Sequence, residues 1–291
     1  MSSTENETKL SIPKDFTFES WEDETLNLKN QLLRGLYAFG FDTPSPIQKK
    51  AVGPMISSDG EGKRNDIIAQ AQSGTGKTGA FSVGVLEIVD AKKDYTQALI
   101  LAPTHELANQ IKSVITSLGN FLKIKIQLLV GGTSVDEDKQ KLEKDKPQIV
   151  VGTPGRVHDM IRRKFLQTDK MSVLVLDEAD EMLSYGFKDQ MYKIFQLMPN
   201  NIQVGLFSAT LPPELEQLTS KFMRNPYKIM VKAEQLTLQG IAQYFVSVED
   251  DEQKYGVLKD LFQTLTLSMT IIYCNSTRRV DELTEALKED N

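Results

Sequence analysis

The stretch Ala71-Gln72-Ser73-Gly74-Thr75-Gly76-Lys77-Thr78 decides the fold. It follows an apolar β-branched run, Ile67 to Ala69, and precedes a helical pattern from Gly79 to Val89. Gly74 and Gly76 let the chain curl so that successive N–H groups face one phosphate, and the start of the helix adds the positive end of its dipole. Lys77 is then placed to reach the β and γ phosphates of a nucleotide, and Thr78 to set its hydroxyl on Mg²⁺. The general pattern begins with glycine, where this chain has Ala71.

Outward from this loop, short apolar runs alternate with longer amphipathic ones. Strands are expected at Ile67–Ala69, Ala98–Leu101, Ile126–Val130, Ile149–Val151, Val173–Leu176 and Val204–Phe207. Between them, Glu106 to Leu122 repeats Leu107, Ile111, Val114, Leu118 and Leu122 at helical spacing. Strands separated by helices imply an α/β fold with a parallel sheet, and continuous rather than alternating apolar runs imply helices on both faces. Ligands in such sheets bind at the carboxyl ends of the strands. One further strand ends in carboxylates, Val173-Leu-Val-Leu-Asp177-Glu178-Ala-Asp180. Asp177 is placed to hold Mg²⁺ and Glu178 to polarise an attacking water as general base.

The chain has 291 residues, 40% of them hydrophobic and 25% charged, the proportions of a folded globular protein. A lone cysteine, Cys274, excludes an internal disulfide, and two histidines, His105 and His158, leave no Cys/His zinc set. A soluble protein of a reducing compartment, without a membrane span, is expected. The net charge is −6, but residues 1–24 hold seven acids and two lysines, so the remainder is nearly neutral. A neutral body can still carry a local basic groove, and nucleic acid is not excluded. The expected organisation is a mobile arm over 1–16, an ATP-binding domain over 17–231, a linker over 232–240 and a second, short domain over 241–291. That last part reads as strand (Ile241–Val248), helix (Gln253–Thr264), strand (Thr270–Cys274) and helix (Thr277–Lys288), about 50 residues and below what usually stands alone.

Over roughly residues 18–291 the chain resembles the DEAD-box ATP-dependent RNA helicases, most closely the eukaryotic translation initiation factor 4A group. The phosphate loop and Asp177-Glu-Ala-Asp180 carry the likeness, with further segments in order along the chain. Gly40-Phe-Asp-Thr-Pro-Ser-Pro-Ile-Gln48 resembles the adenine-reading segment, which implies that Phe41 stacks on the base and Gln48 bonds its edge. Phe18 and Trp21 stand slightly further off than the upstream aromatic of that segment, and neither is assigned. Pro103-Thr104-His105, Gly131-Gly132 and Thr153-Pro154-Gly155-Arg156 resemble the RNA-contacting loops, where backbone amides can hold phosphate and Arg156 adds a charge. Ser208-Ala-Thr210, with Asp180, resembles the segment that couples ATP state to the RNA-bound closed form. The resemblance implies two RecA-like domains, ATP and Mg²⁺ as cofactors, single-stranded RNA or an RNA duplex as substrate, a scaffold or initiation-factor partner, a monomer, and a cytoplasmic or nuclear setting.

Two departures qualify these expectations. His105 stands where the family has arginine, which removes a permanent cation; RNA binding tighter near pH 6 than near pH 8 is expected from a residue that charges in mild acid. Ile271-Ile-Tyr-Cys-Asn275 resembles the first motif of the second domain, and the later arginines of the ATP site have no counterpart before Asn291. ATP binding with weak hydrolysis is therefore expected, and the alternative is a non-catalytic ATP- and RNA-binding half-module that docks a scaffold or competes with a full-length helicase. A duplex-DNA motor is a third reading at the level of the fold alone.

Overall fold

A computed structural model describes residues 16–58, 62–230, 242, 244–250, 253–266 and 268–290. The linker expected over 232–240 and most of the expected N-terminal arm lie outside them. The chain divides into two compact units, one up to residue 237 and one from residue 238.

In the first unit two helices, α1 (Asn30–Phe39) and α2 (Pro46–Ile56), lead into an alternating series. It runs β1 (Ile67–Gln70), α3 (Lys77–Ile88), β2 (Ala98–Leu101), α4 (His105–Leu118), β3 (Ile126–Leu129), α5 (Val135–Asp145), β4 (Ile149–Gly152) and α6 (Pro154–Arg162). It continues with β5 (Val173–Asp177), α7 (Ala179–Ser184), α8 (Lys188–Gln196), β6 (Gln203–Ser208), α9 (Pro213–Phe222) and β7 (Tyr227–Met230). The seven strands are all parallel, in the order β3-β4-β2-β5-β6-β1-β7.

Side chains along each central strand alternate between two cores. Ile67 and Ala69 pack under α1 to α4, whereas Ile68 packs on the opposite face among residues of α6 to α9. Both faces are buried, so the central strands are apolar along their middles and polar only at their ends. Each fully buried Ile or Leu contributes about 1.5–3 kcal/mol relative to exposure. Phe18 and Trp21 lie in the first of these cores, with ring centroids 5.5 Å apart, so both serve packing. The helix expected to reach Leu122 ends at Leu118, because Gly119 follows and the chain turns there.

The edge strand β7 has no counterpart among the expected strands. Tyr-Lys-Ile-Met carries one buried residue, Ile229, too weak a pattern to read. Its register is set by Asp66, whose backbone carbonyl accepts from Tyr227 N (2.7 Å) while its buried carboxylate accepts from the amides of Val204 (2.8 Å) and Arg224 (2.5 Å). Burial pushes this carboxyl above the usual range, against those hydrogen bonds.

In the second unit, α10 (Gln253–Thr264) and α11 (Thr277–Glu289) form as expected, with Ser276 capping α11 by accepting from Arg279 N (3.3 Å). The two expected strands do not: the described residues of Ile241–Val248 and Thr270–Cys274 enter no ladder. Parallel pairs are held by burial on both faces, and here Phe245 is 92% and Tyr273 89% exposed.

Candidate active site and adjoining loops

The strand order places β6 between β1 and β5. The carboxyl ends of β1 and β5 are therefore about 10 Å apart, two strand spacings. Lys77, the first residue of α3, spans that gap. Its Nζ donates to the carbonyl of Ala71 (2.9 Å) and to the carboxylate of Glu178 (3.0 and 3.2 Å), with only 4% of the side chain exposed. Ser73 Oγ donates to the same carboxylate at 3.0 Å. The phosphate loop thus closes onto the end of β5 through two of its own side chains.

Positive φ is confined within this loop to Gly74 (81°) and Gly76 (99°). Ala71 takes part through its backbone, accepting from Lys77 and donating to Ser208 O (3.1 Å). A glycine is therefore not needed at the first position. Gly76 and Gly79 are needed for another reason: a Cβ would come within 2.9 and 2.5 Å of Gln48 Nε2, and at Gly79 also 2.8 Å from the Phe41 ring. Phe41 and Gln48 are thereby brought against the start of α3. Gln48 is buried and engaged at both ends, its Oε1 accepting from Ser45 N (2.8 Å) and its Nε2 donating to Gly76 O (3.3 Å). A bond to a base edge would have to share or replace the Gly76 contact.

At the end of β5 the chain turns sharply, with Glu178 left-handed at φ 48°. Asp177 is buried, with its Oδ1 accepting from Glu178 N (3.1 Å); burial foremost, then the Glu178 charge, push its carboxyl up to about 7 against Lys77 and the Thr78 hydroxyl. Thr78, Asp177 and Glu178 are hard oxygen donors at one point, and an anion this costly to ionise is the partner a divalent cation satisfies, so the set fits Mg²⁺. Asp180 continues the line, its carboxylate accepting from Thr210 N (3.0 Å) and Thr210 Oγ1 (2.6 Å), while Asp180 N donates to Ser208 Oγ (3.2 Å). Burial alone would raise the Asp180 carboxyl; the hydrogen bonds from Thr210 and Ser208 outweigh it and hold it below the ordinary range.

The other three loops gather at the carboxyl ends of β2, β4 and β3, on the far half of the same sheet edge. Pro103 is buried, and Thr104 caps α4 by accepting from Leu107 N (3.2 Å), leaving His105 exposed beside Gly131. Gly132, at φ 79°, and Gly155 have open space where a side chain would be. Thr153 N donates to Leu129 O (3.0 Å), and buried Pro154 opens α6.

Arg156 differs from the expectation of a charge held ready for phosphate. Its guanidinium pairs with the buried Asp138 and donates to Thr133 Oγ1 (2.8 Å) and Thr133 O (2.7 Å). Asp138 carries no signal of this role in the sequence: within Asp136-Glu137-Asp138 it is one more acid suiting a helix start.

The DEAD/DEAH box helicase family matches residues 45–218. A protein named ATP-dependent RNA helicase eIF4A from Pyricularia oryzae is 52% identical over 273 residues, covering 94% of this chain and 67% of its own. The protein of the same name from Neurospora crassa is also 52% identical over 273 residues, covering 94% and 66%. The chain thus spans about two thirds of the length of these relatives. Among solved structures, S. cerevisiae Dbp5 bound to RNA and ADP BeF3 is similar with a TM-score of 0.78 and 34% identity, over 92% of this chain and 66% of that one. A DEAD box protein from Methanococcus jannaschii gives 0.68 and 31%, over 94% and 71%. The all-parallel sheet is accordingly RecA-like. With the family match covering more than half of the sequence, and with the phosphate loop closing on Asp177-Glu178-Ala179-Asp180, the chain belongs to the DEAD/DEAH box helicases.

Proposed function

We propose that this chain binds ATP with Mg²⁺ at the β1, β5 and β6 ends, binds RNA across the β2, β3 and β4 loops, and couples the two in ATP-dependent RNA unwinding. The observation that carries the reading is the Lys77–Glu178 contact, which joins the phosphate loop and the carboxylate strand in one site. The amides of residues 72–77 surround the phosphates, and Lys77 exchanges Glu178 for the phosphate oxygens. Glu178, released, turns to the attacking water and takes its proton. Thr78 and Asp177 hold Mg²⁺, which when bound neutralises charge on the phosphate oxygens. Phe41 and Gln48 lie where the base would extend from the loop. Asp180, two residues beyond Glu178 at the start of α7, passes a movement of Glu178 to the β6 end through Ser208 and Thr210.

On the RNA side, exposed His105 and the open amides at Gly132 and Gly155 suit a phosphate backbone read without its bases. The relatives named ATP-dependent RNA helicase eIF4A support ATP and RNA as the substrate pair, and the likeness to that initiation-factor group supports a cytoplasmic role in translation initiation with a scaffold partner. The test is titration of a fluorescent non-hydrolysable ATP analogue with Mg²⁺, alongside RNA-stimulated phosphate release, for the wild type and Lys77→Ala. Saturable binding that the substitution abolishes is expected. No binding by the wild type, or equal binding by both, would overturn the reading.

A further inference from the structure

Arg156 is the one cation of the Thr153-Pro154-Gly155-Arg156 segment, and its guanidinium is already occupied. The side chain is 9% exposed and pairs with Asp138, itself 6% exposed. Its second nitrogen donates to the Thr133 carbonyl at 2.7 Å, and the first to the Thr133 hydroxyl at 2.8 Å. That hydroxyl lies 3.0 Å from Val130 O and 3.1 Å from Asp138 Oδ2. Asp138 is anchored from beneath, because its backbone carbonyl accepts from buried Gln127 Nε2 on β3 at 3.0 Å. Arg156 on α6 and Asp138 on α5 therefore grip the residue that directly follows Gly131-Gly132. A buried guanidinium–carboxylate pair with its hydrogen bonds satisfied gives up those partners only at high cost.

We infer that Arg156 and Asp138 are positioning residues that clamp the Gly131-Gly132-Thr133 turn to the start of α6, setting the backbone amides of both loops for RNA phosphate, and that Arg156 itself makes no phosphate contact. This rests on the RNA-binding reading above. A phosphate contact would need the cation alone, whereas the clamp needs the planar fork, since two nitrogens serve different acceptors; lysine can replace the first and not the second.

The experiment measures binding of a fluorescent single-stranded RNA over a salt series for the wild type, Arg156→Lys and Asp138→Asn, with hydrogen exchange of residues 130–138 in the absence of RNA. The clamp predicts about tenfold weaker binding in both variants, as expected for one or two net hydrogen bonds lost. It also predicts an unchanged slope of log K against log salt, and faster exchange in the turn. A phosphate contact predicts near-normal binding by Arg156→Lys and equal or tighter binding by Asp138→Asn, whose arginine is set free. An Arg156→Met variant that shallows the slope by ~0.7, the value of one contact to a single strand, would overturn the proposal. So would unchanged exchange in Arg156→Lys. If the wild type binds no RNA, the RNA-binding reading and the positioning role fall together, while exchange still decides whether the clamp exists.

Discussion

The two halves of the sheet's carboxyl edge handle charge in opposite ways. At the β1, β5 and β6 ends, Lys77, Asp177 and Glu178 meet around one point, and a small exchange of partners would turn their charges toward a ligand. At the β2, β3 and β4 ends the fixed cation Arg156 is spent inside the protein, and the surface proposed for RNA is left to glycines, a helix start and an exposed histidine. A nucleotide triphosphate is compact and demands concentrated charge. A nucleic-acid backbone is long and repetitive, and a row of amides matches it without regard to base.

Four substitutions test this contrast. The largest effect is expected from Glu178→Gln, which keeps the shape but removes the base; RNA-stimulated phosphate release should fall by about 10²–10⁴ while analogue binding holds within about twofold. Equal losses of both would show that Glu178 serves binding and not the chemistry.

Next is Gly152→Ala at the foot of the loops proposed to meet RNA. Its Cβ would lie 2.3 Å from Leu129 O and 2.7 Å from Val157 Cγ2. Backbone cannot yield as a side-chain tip can, so a loss of about 1–3 kcal/mol is expected in denaturant unfolding. A smaller loss would mean that β3 and β4 can part cheaply and that the loops are set elsewhere.

Asp180→Asn should uncouple the halves, cutting RNA stimulation about tenfold by weakening two hydrogen bonds to Thr210. Because the folded Asp180 carboxyl is held below the ordinary range, its stabilisation is present at neutral pH and lost as pH falls through that lowered value. Unfolding midpoints of the wild type and Asp180→Asn should therefore converge in acid, and a gap that widened would contradict the assignment. The smallest effect is His105→Arg, which should steepen the salt slope of RNA binding by ~0.7 and tighten binding a few-fold near pH 8. An unchanged slope would place position 105 off the phosphate path.

Much of this was legible from residue order. Six strands follow from their apolar runs, because a strand buried on both faces has little freedom to be polar, and the phosphate loop and Asp177-Glu178 follow from the glycines and acids beyond two of those runs. The edge strand β7 escaped notice since only one of its residues is buried, and the pairing partner that fixes it, Asp66, lies 161 positions before Tyr227 in the chain. The expected strands at Ile241–Val248 and Thr270–Cys274 have the composition but, among the described residues, no ladder. Composition favours a strand; a neighbour makes one.

Residue order alone indicates which residues could meet a triphosphate and a divalent ion, because that chemistry is local: amides in a glycine turn, an ammonium one step on, acids at a strand end. Which charges stay available is set by packing between distant segments. Both cations are buried, but Lys77 rests on a carboxylate that is itself 14% exposed, whereas Arg156 is held by the 6% exposed Asp138 and by both oxygens of Thr133. The reason is physical. Whether a charge can serve a ligand depends on what already surrounds it in three dimensions, and spacing along the chain carries no record of that.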